Sequence, residues 1–224
     1  YAAGWRRCKL YFMIGLPGET DEDLRGIAEL ANRAYATAKD AVPDKQRGGV
    51  RMGVSVAVFV PKSHTPFQWS GQIPHAEIER RIGLLRTAGL HKGIDLHWHD
   101  PATSRIEAAL SRAGREAGAL IERVWTRGAR FDAWSERFDA TLWEEAALDC
   151  GLSIAALAER DFALDAPLPW DHIDSGVTKD FLAQELHLSL TGQTSVDCSY
   201  ADCLACGVCS ELDVAISLGG ERHE

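Results

Sequence analysis

The sequence predicts an α/β fold: a few parallel strands with covering helices, then a mainly helical extension, then a cysteine-rich tail. Three observations predict it. Residues 9–24, KLYFMIGLPGETDEDL, run from an apolar stretch through a tight Pro17-Gly18 turn into an acidic helix start at Thr20. A Val-rich stretch, residues 52–60, follows one helix later. Beyond Pro101 the strand-like runs give way to apolar residues at helical spacing.

Residues 10–16 are the first expected strand. Thr20 is the expected N-cap, with Asp23 three residues on completing a capping-box pattern. Asp21, Glu22 and Asp23 suit the positive end of the helix. Leu24, Ile27, Ala28, Ala31, Ala34 and Tyr35 carry that helix to about Lys39. A Pro-, Asp- and Gly-containing loop fills residues 43–49. Residues 52–60 are almost wholly apolar, as expected of a parallel strand covered on both faces. Strand, helix and strand then make a right-handed βαβ unit. Residues 62–73 are expected as a loop holding Phe67 and Trp69. Pro74 starts a second helix along Ile78, Ile82 and Leu85, stopped by Gly89 and Gly93. In residues 94–99, Ile94, Leu96 and Trp98 share one face of a third strand, and Asp95, His97 and His99 the other.

After Pro101, Ser104 with Glu107 resembles another capping box. A single long amphipathic helix is expected through Ile106, Leu110, Ala113, Ala117, Leu120, Ile121 and Val124. Phe131, Trp134, Phe138 and Leu142 suggest further helical packing, and Gly151 a helix stop. Residues 160–177 read as loop, residues 178–190 as a last helix, and the tail from about Thr191 carries the cysteines.

The chain has 224 residues, 46% hydrophobic and 25% charged, within the ordinary range of globular proteins. Its net charge of -9 argues against non-specific nucleic-acid binding over the whole surface. Between Arg105 and Arg130, six arginines against three glutamates make a local positive excess. That stretch either faces a phosphate-bearing partner or is a solvated helix face. No signal peptide or membrane-length apolar run is visible, so a cytoplasmic setting is expected. The first strand begins about nine residues from Tyr1, which is not Met. The chain is therefore expected to be the C-terminal part of a longer protein.

Cys198, Cys203, Cys206 and Cys209, spaced C-x4-C-x2-C-x2-C, form the strongest chemical signal. Clustered thiols without a secretory signal point to a metal rather than disulfides. Thiolates are soft ligands for iron–sulfur clusters or zinc. Zinc ribbons commonly use two separated C-x2-C knuckles, so three cysteines two residues apart favour a [4Fe–4S] cluster over zinc. Cys8 and Cys150 stand alone and are expected as small buried hydrophobes. Gly15 and Gly18 permit close backbone approach of a ligand, and the helix start at Thr20 could draw a carboxylate or phosphate; the other reading is a plain βα turn. Asp95, His97 and His99 form either a ligand cluster, short by ligand count, or a polar strand face. In PWDHIDSG, Asp171, His172 and Asp174 are candidate acid/base residues beside Trp170, or members of a hydrogen-bonded loop.

Taken together, KLYFMIGLPGET, SVAVFVPKSHTPFQW, HDPATSRIEAALSR, GARFDAWSERF and LPWDHIDSGVTKDFL resemble the radical S-adenosylmethionine superfamily. The nearest likeness is to its cobalamin-binding members of unknown substrate. The likeness spans nearly the whole chain, and the LPWDHIDSGV block is its most specific part. It implies that residues 1–100 are late strands and helices of a partial (β/α)6 radical SAM barrel. Residues 101–190 would be a helical, substrate-facing extension, and residues 191–224 a tail with an auxiliary iron–sulfur or zinc site. It also implies S-adenosylmethionine cleaved to a 5′-deoxyadenosyl radical, with Ile14, Gly15, Pro17 and Gly18 near the adenosyl part. Val58, Val60 and Pro61 would flank the cofactor.

Two departures qualify the likeness. The superfamily's C-x3-C-x2-C loop is absent, as is any cobalamin domain, so both would lie upstream in a missing N-terminal part. This segment alone is expected to be inactive. Arg112-Ala113-Gly114-Arg115 stands where Arg-Gly-Asp-Arg is expected, so an acidic contact would be missing. The Arg-rich helix leaves RNA or ribosomal substrates open. The competing reading is a non-catalytic metal-binding interaction module whose tail docks a partner. A simple electron carrier would not need the apolar βαβ scaffold.

Overall fold

The alternation of residues 7–14 and the Val-rich residues after Arg51 become neighbouring parallel strands, β1 (Arg7–Ile14) and β2 (Arg51–Val58). β3 (Ile94–Trp98) adds in parallel on the far side of β2, giving the order β1-β2-β3. The structure is a computed structural model that describes residues 1–201, 203–211 and 213–214. Residues 215–224 of the expected tail lie outside the described residues.

The two crossovers are α1 (Asp21–Asp40) and α2 (His75–Thr87). Leu24, Ile27, Ala31 and Tyr35 of α1 and Ile78, Ile82 and Leu85 of α2 bury one core with Met52, Val54, Val56 and Val58 of β2. Both helices therefore cover the same face. Parallel strands in sequence order, with both connections over one face, form a singly wound sheet.

Among the described residues, the other face is bare. In-register rows place Lys9 beside Gly53 and Asp95, and Tyr11 beside Ser55 and His97. Tyr11 is 73% exposed and Met13 46%; Lys9, Asp95 and His97 are exposed too. This corrects the expectation that β2 is covered on both faces: the valines face the helices, and small residues, Gly53, Ser55 and Ala57, occupy the alternate positions. β1 also starts and ends earlier than its apolar run suggests, because the strand pairs from Arg7, and Gly15 leaves it at a φ of +91°.

Beyond the sheet come α3 (Pro101–Arg112), α4 (Glu116–Thr126), α5 (Ala140–Asp149), α6 (Ile154–Glu159), α7 (Lys179–Leu190) and α8 (Val208–Glu211). The expected long helix splits at residues 113–115, where Gly114 weakens it. Glu116 accepts the freed Gly114 N–H at 2.9 Å, which supplies an acidic contact from two residues further on. Ser104 is not a cap. Asp100 caps α3 by accepting from Thr103 N–H, because Pro101 occupies the first helical position. Phe131 and Trp134 lie in turns and are exposed rather than packed in a helix. Gly151 stands at positive φ just past α5, as a helix stop should, and the last expected helix forms as α7, with Thr178 outside it as the N-cap.

A second core joins Ile106, Leu120, Trp143 and Ile154, and a smaller one joins Trp69, Leu168, Trp170 and Leu182. The loop after β2 stitches sheet to extension. Gln72 N–H donates to Ala158, Phe162 N–H to Trp69, and Gly71 N–H to Asp161. Arg112, completely buried, donates to the carbonyls of Gln68 and Arg160, with Phe162's ring 4.8 Å away. Burial foremost, and the nearby Arg160 charge, push its guanidinium down to about 10. No described helix is long and apolar enough to cross a membrane.

Candidate functional site

Strand ends position the candidate site. Ligands of parallel α/β sheets bind beyond the carboxyl ends of the strands, and there a cleft of about 430 Å³ opens. Met13, Ala57 and His99 floor it from the bare face, Val58 and Val60 continue it, and Phe67 walls it. Phe67 is held edge-on to Phe59, their ring centres 5.6 Å apart. At the rim, Lys62 Nζ meets Glu107 Oε1 at 2.5 Å, an ion pair about half exposed on both sides. Such a pair adds little stability but offers one cation and one anion to a ligand. A cleft of this size with an apolar lining and a few polar groups suits a small cofactor. A roomier cleft, about 510 Å³, lies among Asn32, Tyr35, Lys39 and His91 at the opposite end of the strands, where α/β folds keep stability rather than chemistry.

The turn after β1 is locked rather than open. Gly15 N–H donates to Glu19 Oε2 at 2.7 Å, and Glu19 is in turn paired with Arg81. Arg81 also binds Glu77 at 2.8 Å. The guanidiniums of Arg80 and Arg81 hold the Glu77 carboxyl down to about 2. A side chain on Gly15 would come within 3.1 Å of Ile73. The start of α1 is closed as well, since Thr20 and Asp23 exchange both capping bonds. With three acidic residues in its first turn, this helix end repels an anion. Of the two readings of this turn, the capping geometry favours the plain βα turn.

Of the cofactor residues expected from the sequence, Val58 and Val60 line the cleft. Ile14 is fully buried toward α1 and α2, Gly15 and Pro61 are buried, and Pro17 and Gly18 lie in the turn outside the cleft. The sequence does not single out Met13, Lys62, His99 or Glu107 as cofactor residues; only the period-two alternation of β1 marks Met13 as facing away from the core. Asp95, His97 and His99 do share the bare side of the sheet, and His99 alone of them reaches the cleft.

Asp171 and Asp174 line a different cleft, whereas His172 is exposed and outside it. Burial pushes the Asp171 carboxyl up, but Lys179 at 2.5 Å and Leu168 N–H at 2.8 Å outweigh it, and the net direction is down. Asp174 accepts Gly176 N–H in a local turn. The arginine excess is largely spent inside the molecule. Arg105 pairs with Glu159, Arg123 with Asp149, and Arg127 with both Glu145 and Asp149. Arg112 is buried, and Arg130 lies 4.6 Å from the Trp125 ring.

All four tail cysteines carry free thiols. Thr178 N–H donates to the Cys206 carbonyl at 2.9 Å, and a side chain on Gly207 would strike the Gly176 carbonyl, so the tail seats on the start of α7. Ala205, at a φ of +54°, donates its N–H toward Cys203 Sγ at 3.4 Å. That N–H···S geometry suits a thiolate ligand. In this conformation no three His, Cys, Asp or Glu side chains among the described residues converge on one point.

No protein-family model matches the chain. No solved structure matches it. An uncharacterized protein of Methanocaldococcus jannaschii, MJ0966, is 32% identical over 65 residues. That stretch covers 29% of this chain and 12% of the length of the relative.

Proposed function

We propose that this chain is the C-terminal portion of a radical S-adenosylmethionine enzyme. It would supply late strands of a partial (β/α)6 barrel, a helical cap and a thiol-rich tail. The observation that carries the reading is the bare face of a singly wound parallel sheet. A parallel sheet is ordinarily covered on both sides. A face lined by Lys9, Tyr11, Asp95 and His97 is suited to a barrel interior completed by further strands, and among the described residues the outer edge of β1 is left for a preceding strand to pair with.

S-adenosylmethionine would rest in the sheet-edge cleft, its apolar part against Val58, Val60 and Phe67 and its polar groups near Lys62 and His99. When bound, it supplies the 5′-deoxyadenosyl radical. The residues here hold and orient it and keep water from the strand ends. Cys198, Cys203, Cys206 and Cys209 would hold either an auxiliary [4Fe–4S] cluster, which would pass electrons or anchor a substrate, or zinc. Cobalamin and the radical-generating cluster would belong to upstream sequence. The cytoplasm is the natural setting for such thiols.

The test is a longer polypeptide carrying a C-x3-C-x2-C loop upstream, reconstituted anaerobically and reduced with S-adenosylmethionine present. It should release 5′-deoxyadenosine, and Ala57→Leu, which fills the cleft floor, should reduce that release about tenfold or more. No 5′-deoxyadenosine from a fully loaded protein would sink the reading. Metal analysis decides what the tail holds: stoichiometric zinc without iron uptake would sink the auxiliary-cluster claim, whereas the absence of 5′-deoxyadenosine leaves the metal-binding interaction module as the competing class.

A further inference from the structure

The loop after β2 divides two clefts. Thr65 and Phe67 line the sheet-edge cleft, whereas His64 and Gln68 line a second one of about 450 Å³ against the Asp171–Lys179 segment. Gln68 is 1% exposed, and its Oε1 accepts from His64 N–H at 3.1 Å and from Trp170 Nε1–H at 2.7 Å. Two N–H donors fix which end of the amide is the oxygen, since an NH2 group cannot accept them. The Gln68 Nε2 that remains is buried without a partner, and so is His64 Nε2. Buried polar atoms left unpaired are costly; Gln68 Nε2 is a donor, and His64 Nε2 donates when the imidazole proton sits on it.

The facing wall has the opposite character. Asp171 is neutralised by Lys179. Asp174 spends Oδ1 on Gly176 N–H and keeps its second oxygen and its charge. Val177 and Leu182 supply apolar surface between the two walls. A phosphate would meet an uncompensated carboxylate here. A ligand with acceptor oxygens at one end and a cationic nitrogen at the other would satisfy both walls.

We propose that this second cleft binds an α-amino-acid group, its carboxylate toward Gln68 Nε2 and His64 Nε2 and its ammonium toward Asp174. The site stands apart from the sheet-edge cleft and does not rest on the radical-enzyme reading. Isothermal titration of the 224-residue chain with the standard free L-amino acids should give saturable binding of at least one. N-acetylation of that amino acid should weaken binding about tenfold or more, by removing the ammonium. Asp174→Asn keeps the oxygen of the local turn and loses the charge, so it should weaken binding to a similar degree. Gln68→Met should abolish it; if that variant does not fold, Asp174→Asn still decides. The proposal is overturned if no amino acid binds, if N-acetylation or Asp174→Asn leaves affinity unchanged, or if inorganic phosphate binds as tightly.

Discussion

Val54 and Ser55 are neighbours on β2. Val54 is completely buried beneath α1 and α2, while Ser55 is half-buried on a side shared with Lys9, Tyr11, Asp95 and His97. One strand thus meets two environments with a period of two residues. On the helix side, branched apolar side chains fill the space against Leu24, Ile27 and Ile82, and burial of this kind contributes about 1.5–3 kcal/mol per side chain. On the other side, the largest groups are amphipathic: Lys9 Nζ lies 5.0 Å from the Tyr11 ring, and Tyr11 keeps its hydroxyl in water. The second face is therefore not shaped to receive helices. It is shaped to be polar, whether it fronts solvent or a lumen.

The largest effect comes from a charge placed on the covered side. Val54→Asp leaves an unpaired carboxylate under two helices and should cost more than about 4 kcal/mol. Loss of the cooperative urea transition followed by circular dichroism checks it. A folded, cooperative Val54→Asp protein would refute the core assignment. The next effect belongs to the join between sheet and extension. A Cβ on Gly71 would stand 2.1 Å from the Glu159 carbonyl oxygen, a backbone atom that cannot swing aside. Gly71→Ala should therefore destabilise by about 1–3 kcal/mol, measured as a lower urea midpoint.

The contrast was half legible in the chain itself. Thr20 with Asp23 marks the first helix correctly, because a capping box is a local hydrogen-bond pattern. Gly151 is legible because a helix stop is likewise a local signal. The first two strands follow from their apolar runs and the third from its alternation. The bare face is harder to see, since Tyr11 and Met13 count as hydrophobic in any pattern and only tertiary packing shows which side lacks helices. The arginine stretch presents less charge than its local excess because its counter-charges, Glu145, Asp149 and Glu159, lie outside it in sequence. Ser104 misleads because Asp100 and Pro101 offer an earlier helix start. Nothing local announces that Gln68 will be buried with one end of its amide satisfied and the other not. That outcome depends on Trp170, far away along the chain.

A smaller effect tests the lock at the top of the covered side. Glu77 is held at about 2, against an ordinary 4.5, by Arg80 and Arg81. Folding therefore favours its ionised form. The stability it contributes is fully present above pH about 4.5 and is lost as pH falls toward 2. The side chain is 29% exposed, so the contribution is below about 1 kcal/mol. Glu77→Gln should lose less stability than the parent across that window, read from urea midpoints at a series of pH values. Parallel curves would show that the ion pair adds nothing.

The smallest expected change is the most informative about the bare face. Ser55→Asp, one residue from Val54, should alter the stability of this chain by no more than about 0.5 kcal/mol, because the new charge keeps its water. The same substitution in a longer polypeptide that carries upstream strands has a different expectation. If those strands close a barrel over this face, the introduced carboxylate would be enclosed with that of Asp95 on the neighbouring strand, and the urea midpoint should fall by the equivalent of about 1–3 kcal/mol. Equal, small effects in both proteins would mean that the face stays open to solvent, and the barrel reading would lose its main support. A large effect in the short chain would mean that the face is already covered, which the exposure of Tyr11 and His97 contradicts.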